Sequence, residues 1–383
     1  MRNLLFVSHS AELNGAELWL LGTLRTLDRG KYRPLLIIPR PGPLAEAVRR
    51  LGIETQVVPM KWWLTEKKRV WRQPAAWVWN SRAVGKIAKT IGERHADLVF
   101  TNSAATFGGA KAAKRARVPH VWAIHEIVGG EHPFLHYVLG RRALADFIVQ
   151  NSAKIIVNSE ASRAALAENG KIAVIYNGVA ADADGRGRPA VRREDLGFEK
   201  SDLVAGIVGK IYAGKGQREA VLAVSRLART HPNLKLLIVG SPKDNRYYRR
   251  LLGLIKAEGL EGRVRFTGYW PDLDGLLKTI DAVVVASVVD SFGRTALEAM
   301  AAGVPVLAVR AGGLPEIVEH GRNGFLAESR DPEDLARVLD FIFRHPDKAR
   351  EAAERGRQTV LEKFTLEAQA RGVARVLEEV LGG

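Results

Sequence analysis

The chain has no cysteine and only three methionines among its 383 residues. Without thiols there are no disulfides, no thiolate ligands for zinc or iron–sulfur clusters, and no cysteine nucleophile. No apolar run approaches the length of a membrane-crossing helix. The first strand pattern, RNLLFVS, starts directly after Met1. That leaves no room for a cleavable leader and makes the cytoplasm the expected compartment. Negative charge is also scarce: 42 Asp+Glu stand against 58 Lys+Arg, for a net charge of +16. Residues 1–190 carry +13 of it, with 28 basic against 15 acidic side chains. Such a surface suits anionic lipid, nucleic acid or a phosphorylated ligand, and equally a solvated face rich in arginine. No nucleic-acid module accompanies it, and the basic residues form no helical stripe interleaved with aromatics.

What is present is strand–helix alternation. Short apolar runs at 3–8, 34–39, 54–58, 97–101, 119–124, 154–158 and 172–175 are separated by helical patterns. They are followed by runs at 203–208, 234–239, 263–267, 281–285 and 305–309. Near-continuous apolar strands such as LVAGIV, LKLLIV and AVVVAS are what a parallel sheet covered on both faces requires. The expected architecture is α/β, with two doubly wound domains. The polar, Gly- and Arg-rich stretch ADADGRGRPAVRRED marks the break. The expected boundaries are an N-terminal domain 1–180, a linker 181–200, a C-terminal domain 201–362 and a final helix 363–383.

Two segments carry chemistry. In 290–306, DSFGRTALEAMAAGVPV, Asp290 closes a loop after an apolar strand, small residues follow, and a helix carries Glu298 eight positions on. Free backbone N–H groups at that helix start suit a phosphate, and the two carboxylates suit sugar and ribose hydroxyls. In 206–218, GIVGKIYAGKGQR, Lys210 and Lys215 flank a Gly-rich turn before a helix, where two ammonium groups complement a diphosphate. The Walker spacing is absent. Two Asp-x-Asp strings, Asp182/Asp184 and Asp272/Asp274, follow no apolar strand as a metal–diphosphate clamp would, so no metal is expected.

These residues resemble the retaining glycosyltransferases of family 4, of GT-B architecture, over essentially the whole length. The family's acidic pair looks like Asp290 and Glu298, and its diphosphate loop looks like Gly209, Lys210, Lys215 and Gly216. Its N-domain Gly-Gly-Ala-Glu turn is similar to Asn14, Gly15, Ala16 and Glu17, and its strand-end histidine to His125, followed by Glu126. Asn177, Gly178 and Val179 match the family's Asn-Gly-Val, and the run 311–326 fits its loop after a C-domain strand. Asp290 stands for the more usual Glu, Lys210 for the commoner Arg, and Ala180 and Ala181 where an acid often follows Asn-Gly-Val.

The resemblance implies two Rossmann-like domains facing each other across a cleft, the C-terminal helix packing back toward the N-domain. It implies transfer of a sugar from a nucleotide diphosphate donor, UDP- or GDP-linked, to a glycan, lipid-linked or small-molecule acceptor, with no cofactor and no metal. Lys215 and Lys210 would neutralise the diphosphate, aided by backbone N–H groups around Gly293, Arg294 and Thr295. Glu298 would hold the ribose. Asp290, Ser291, Phe292 and Gly293 would contact the donor sugar, and the base would lodge near Gly268 and Tyr269. Gly15 would approach the diphosphate and His125 the donor sugar. His125, Asp290 and Lys215 are the residues expected in catalysis. The competing readings are a sugar-nucleotide epimerase or phosphorylase on the same plan, and a basic nucleic-acid-binding protein.

Residues 61–80, KWWLTEKKRVWRQPAAWVWN, hold five of the eight tryptophans among five basic residues. Either Trp62, Trp63 and Trp71 insert at an anionic membrane surface beside Lys61, Lys67, Lys68, Arg69 and Arg72, or the indoles fill the N-domain core.

Overall fold

Apolar side chains on both faces of a strand need cover on both sides, and the chain meets this with two parallel sheets, each layered with helices. The structure, a computed structural model, describes residues 1–65, 67–128, 136–166, 170–180, 191–288 and 290–382. It divides into two compact units, 1–178 with 366–383, and 179–365.

In the first unit the strands are β1 (Arg2–Ser8), β2 (Tyr32–Ile38), β3 (Glu54–Val57), β4 (Leu98–Asn102), β5 (His120–Ile124), β6 (Lys154–Val157) and β7 (Ile172–Val174). They pair in the order β3-β2-β1-β4-β5-β6-β7, parallel throughout. The order reverses between β1 and β4, where ligands of open α/β sheets bind at the carboxyl ends of the strands. The C-terminal helix Leu366–Gly382 belongs to this unit, as expected: Val373, Val376 and Leu377 join the cluster built on Trp19, Leu20 and Leu24. Gln369 locks it, donating to the Trp19 carbonyl (3.0 Å) and Thr23 Oγ1 (2.9 Å) while its carbonyl accepts from Gly178 N (2.8 Å).

The second unit holds β8 (Leu203–Val208), β9 (Leu234–Val239), β10 (Val264–Gly268), β11 (Ala282–Val285), β12 (Val306–Val309) and β13 (Phe325–Ala327). Their order is β10-β9-β8-β11-β12-β13, again parallel, with the reversal between β8 and β11. The strand β13 is absent from the sequence reading, because three residues after Gly324 are too few to show a period. Residues 181–190 lie outside the described residues. The rest of the stretch read as linker is built into this unit: Arg193 donates to the Asp202 carbonyl (2.8 Å) and to Asp281 Oδ1 (2.7 Å). Among the described residues no helix is long and apolar enough to cross a membrane.

Candidate functional site

At the β8/β11 reversal, chain segments 75 residues apart converge. After β8, Gly209 (φ +139°) and Gly216 (φ +80°) shape the turn that carries Lys215 into the helix Gln217–Leu227. A Cβ on Gly216 would lie 2.4 Å from the Ala286 carbonyl, so only glycine lets the turn close on the end of β11. The Lys215 ammonium donates to Ser287 Oγ (3.2 Å) and Asp290 Oδ2 (3.1 Å). Asp290 Oδ1 accepts from Gly293 N (2.8 Å), and its main-chain carbonyl accepts from Gly313 N (3.0 Å). Burial is the largest influence and opposes both charges, but their mutual attraction outweighs it together with the N–H groups of Gly293 and Phe292 at Asp290 and with Tyr212 at Lys215. The Asp290 carboxyl is held below the usual carboxylate range and the Lys215 ammonium above its own.

Gly293 (φ +102°) precedes the helix Arg294–Ala301. One turn in, Glu298 accepts from Arg294 Nε at 2.8 Å. Burial pushes the Glu298 carboxyl up, Arg294 draws it partly back, and Asp274 adds repulsion. The site therefore brings together Lys215, Asp290, Gly293 and Arg294, with Glu298 on the same helix. Thr295 and Ser291 are half-buried beside them, and Tyr269 is exposed after β10. Lys210 is exposed, and its carbonyl accepts from Gln217 Nε2 (3.1 Å). The Phe292 ring is buried against Phe364, so its backbone is what the turn presents to the site. Ser287 escaped the sequence reading, since a strand-end serine carries no signal on its own, and Asp274 entered it only as part of an Asp-x-Asp string.

In the first unit, Gly15 opens the helix Gly15–Thr26 and is exposed, with no heavy atom within 4 Å of where a Cβ would stand. Glu17 accepts from Asn14 N (3.2 Å) and stands 3.3 Å from His9 Nε2, both side chains almost fully buried. His125 follows β5. Its Nε2 lies 2.7 Å from Asn102 Oδ1, and Asn102 Nδ2 donates to the Ala16 carbonyl (3.1 Å). Burial, reinforced by His9, pushes the His125 pKa down to about 3. Glu126 accepts from His125 N (3.0 Å) and Ala104 N (3.1 Å) and pairs with Ser103 Oγ. His120, by contrast, is a core residue whose ring nitrogens are both engaged, by Thr101 Oγ1 and the Asn151 carbonyl (2.8 Å each).

Trp63 does not face solvent, contrary to the membrane alternative. It is fully buried, donates to the Ala104 carbonyl (2.6 Å) and packs against Trp77, Phe107, Tyr137 and Phe147. A neutral indole with its N–H satisfied gains more in that cluster than at the surface. Trp62, Trp71 and Trp79 stay exposed. Among the described residues no three His, Asp or Glu side chains gather as metal ligands. Asp272 caps the helix Leu273–Leu277 through Gly275 N, and Asp182 and Asp184 lie outside the described residues.

Residues 13–183 match the family model of Glycosyltransferase Family 4, and residues 190–359 that of Glycosyl transferases group 1. Corynebacterium kroppenstedtii D-inositol 3-phosphate glycosyltransferase is 31% identical over 255 residues, 63% of this chain and 56% of the relative. Mycobacterium tuberculosis glycogen synthase is 31% identical over 269 residues, 68% of this chain and 63% of that enzyme. The chain thus spans somewhat more than half the length of these curated relatives. Among solved structures, Anabaena HepE in complex with UDP-glucose superposes with a TM-score of 0.82 at 26% identity, covering 99% of this chain and 100% of that one.

Proposed function

The chain belongs to glycosyltransferase family 4, with GT-B architecture, and on that premise we propose that it transfers a sugar from a nucleoside diphosphate donor with retention of anomeric configuration. One observation carries this reading: the convergence of Lys215, Asp290 and Ser287 on the start of the helix that bears Glu298, at the β8/β11 reversal. An ammonium group has three donors, so Lys215 can keep Asp290 and turn another N–H to a phosphate oxygen. Backbone N–H groups at 293–295 supply the rest of an anion seat. Glu298 accepts from ribose hydroxyls. Asp290 and Ser291 meet the donor sugar, with Lys210 beside the diphosphate and the base near Tyr269. For the first unit, the family resemblance assigns Gly15 and His125 to donor binding. The acceptor hydroxyl attacks the face that the diphosphate leaves, and the departing phosphate takes its proton. Charge growing on the leaving oxygen is what the lysines and N–H groups stabilise, which is the main term in such a reaction.

A uridine donor is the favoured choice, because HepE is described in complex with UDP-glucose and with UDP and glucose. Thermal shift with UDP-, GDP- and ADP-sugars tests this, since stabilisation grows with the logarithm of ligand over Kd. Stabilisation by UDP-sugars with product of retained configuration is expected. Binding by none of the panel, or epimerised sugar released without acceptor, would refute it.

A second part of the reading concerns the acceptor side and rests on one surface. Trp62, Trp71, Val78, Trp79, Val138 and Leu139 are exposed large apolar residues of the first unit. Exposed Lys61, Arg69, Arg72, Arg141 and Arg142 accompany them. The loop at 136–138 is tied to the start of the helix Gln73–Glu93 through Gln73, which donates to the His136 carbonyl and accepts from Val138 N (2.8 Å). Aromatic rings beside cations suit the headgroup layer of an anionic membrane, and a lipid-linked acceptor would be found there.

A further inference from the structure

We propose that Asn102 is a positioning residue that holds His125 as an uncharged imidazole with its hydrogen on Nε2, so that the ring meets its ligand as an acceptor for a hydroxyl and not as a cation for a phosphate. Asn102 is fully buried at the end of β4, and its nitrogen is committed to the Ala16 carbonyl at 3.1 Å. A carbonyl takes only a donor, so the amide oxygen must face the other way, toward His125 Nε2 at 2.7 Å. An amide oxygen has no hydrogen to give. Nε2 must therefore carry one, and in the neutral ring Nδ1 is then the acceptor.

Neutrality has its own support. Burial and the nearby His9 push the His125 pKa to about 3. Among the described residues, the charged and titratable groups around it are His9 after β1, Glu17 on the helix Gly15–Thr26, and Glu126 on its own loop, while the Trp19 ring packs edge-on at 5.0 Å. Glu126 spends its contacts on Ser103 and on the backbone N–H groups of Ala104 and His125.

The same amide connects two parts of the proposed site. Ala16 adjoins Gly15, so one side chain sets both where the Gly15 turn lies and which proton His125 holds. Register makes this work: Asn102 pairs with Ser8 of β1 on one side and Ala123 of β5 on the other, between the segments it joins. The assignment of a hydroxyl to His125 rests on the donor-binding role proposed above, whereas the tautomer does not.

Long-range 1H–15N correlation on 15N-histidine-labelled protein reads the tautomer directly, with His125→Gln identifying the signal. The wild type should show a protonated Nε2 and an unprotonated Nδ1 from neutral pH down to about pH 5. Asn102→Asp sets a carboxylate against Nε2–H and should raise the His125 midpoint by about 1–3 pH units. Asn102→Ala should lose the pure tautomer and lower kcat/KM for the donor by about tenfold. If Asn102→Asp does not fold, Asn102→Ser serves, with a mixed tautomer expected. A wild-type His125 protonated on Nδ1, or charged at pH 7, overturns the proposal, as does an unchanged tautomer in Asn102→Ala. Absence of transfer from every nucleotide sugar would instead sink the functional reading and leave the tautomer standing.

Discussion

Lys215 and Asp290 hold each other at 3.1 Å while the second oxygen of Asp290 caps Gly293 N at 2.8 Å. One carboxylate thus steers the lysine of the turn after β8 and fixes the start of the neighbouring helix. The first prediction follows from this dual use. Lys215→Met should cost about 1–3 kcal/mol by leaving a mostly buried carboxylate without its counter-ion, and Lys215→Met/Asp290→Asn should recover part of that. Asp290 titrates below its usual value, so the pair's contribution is present above about pH 4 and is lost as pH falls through the folded value. Lys215 titrates above its usual value, so the contribution is present below about pH 10 and is lost as pH rises through the folded value. Urea unfolding across pH checks both limbs, and an unaltered midpoint in Lys215→Met at pH 7 would contradict them. Transfer should fall ten- to hundredfold, on the order of one lost charge-assisted bond.

Glu298 has the opposite sign. Burial raises its carboxyl despite Arg294, so its ionised form weakens the fold as pH rises from about 4 through the folded value. Glu298→Gln should be at least as stable as the wild type at pH 7, with the difference closing below pH 4, while UDP binding weakens about tenfold or more. Calorimetric titration with UDP beside urea unfolding separates the two effects; undiminished UDP affinity would remove Glu298 from the ribose role.

The two glycines should part company. A Cβ at Gly15 meets nothing within 4 Å, so Gly15→Ala should leave thermal stability unchanged and raise KM for the donor. At Gly293 the backbone sits at φ +102° and a Cβ would lie 2.5 Å from Leu314 Cδ2. Gly293→Ala should therefore cost about 1–3 kcal/mol and lower activity as well. Wild-type kinetics for Gly15→Ala would show that no ligand approaches that turn.

Transfer should persist in excess EDTA, because the ammonium groups and helix N–H groups supply the charge that magnesium supplies elsewhere. Loss of activity that magnesium or manganese restores would show a metal in the reaction.

Membrane docking should require anionic vesicles and weaken with salt, each surface cation adding about 1 kcal/mol. Trp62→Ala/Trp71→Ala should release the protein in co-sedimentation. Trp63→Ala should instead destabilise the first unit, by about 3–5 kcal/mol for a fully buried indole. Equal retention on neutral and anionic vesicles, or none at low salt, counts against the docking surface.

The sequence by itself determined the layering, because an apolar run such as LVAGIV has no stable alternative to burial on both faces. It also singled out the candidate segments, since Asp290, Glu298 and Lys215 sit beside helix starts that local glycines define. Tertiary structure decided the rest. Trp62 and Trp63 are adjacent and chemically identical, yet one is half exposed and the other fully buried, because only the packing of Phe107 and Phe147 creates the space for an indole. Phe292 sits in a motif that reads as a ligand loop but turns its ring into the core. In the sequence Asn102 is an ordinary polar residue just past the apolar run 97–101. Only the pairing of β1, β4 and β5 sets its amide between Ala16 and His125, because strand order, unlike strand existence, depends on which residues distant in sequence meet across the sheet.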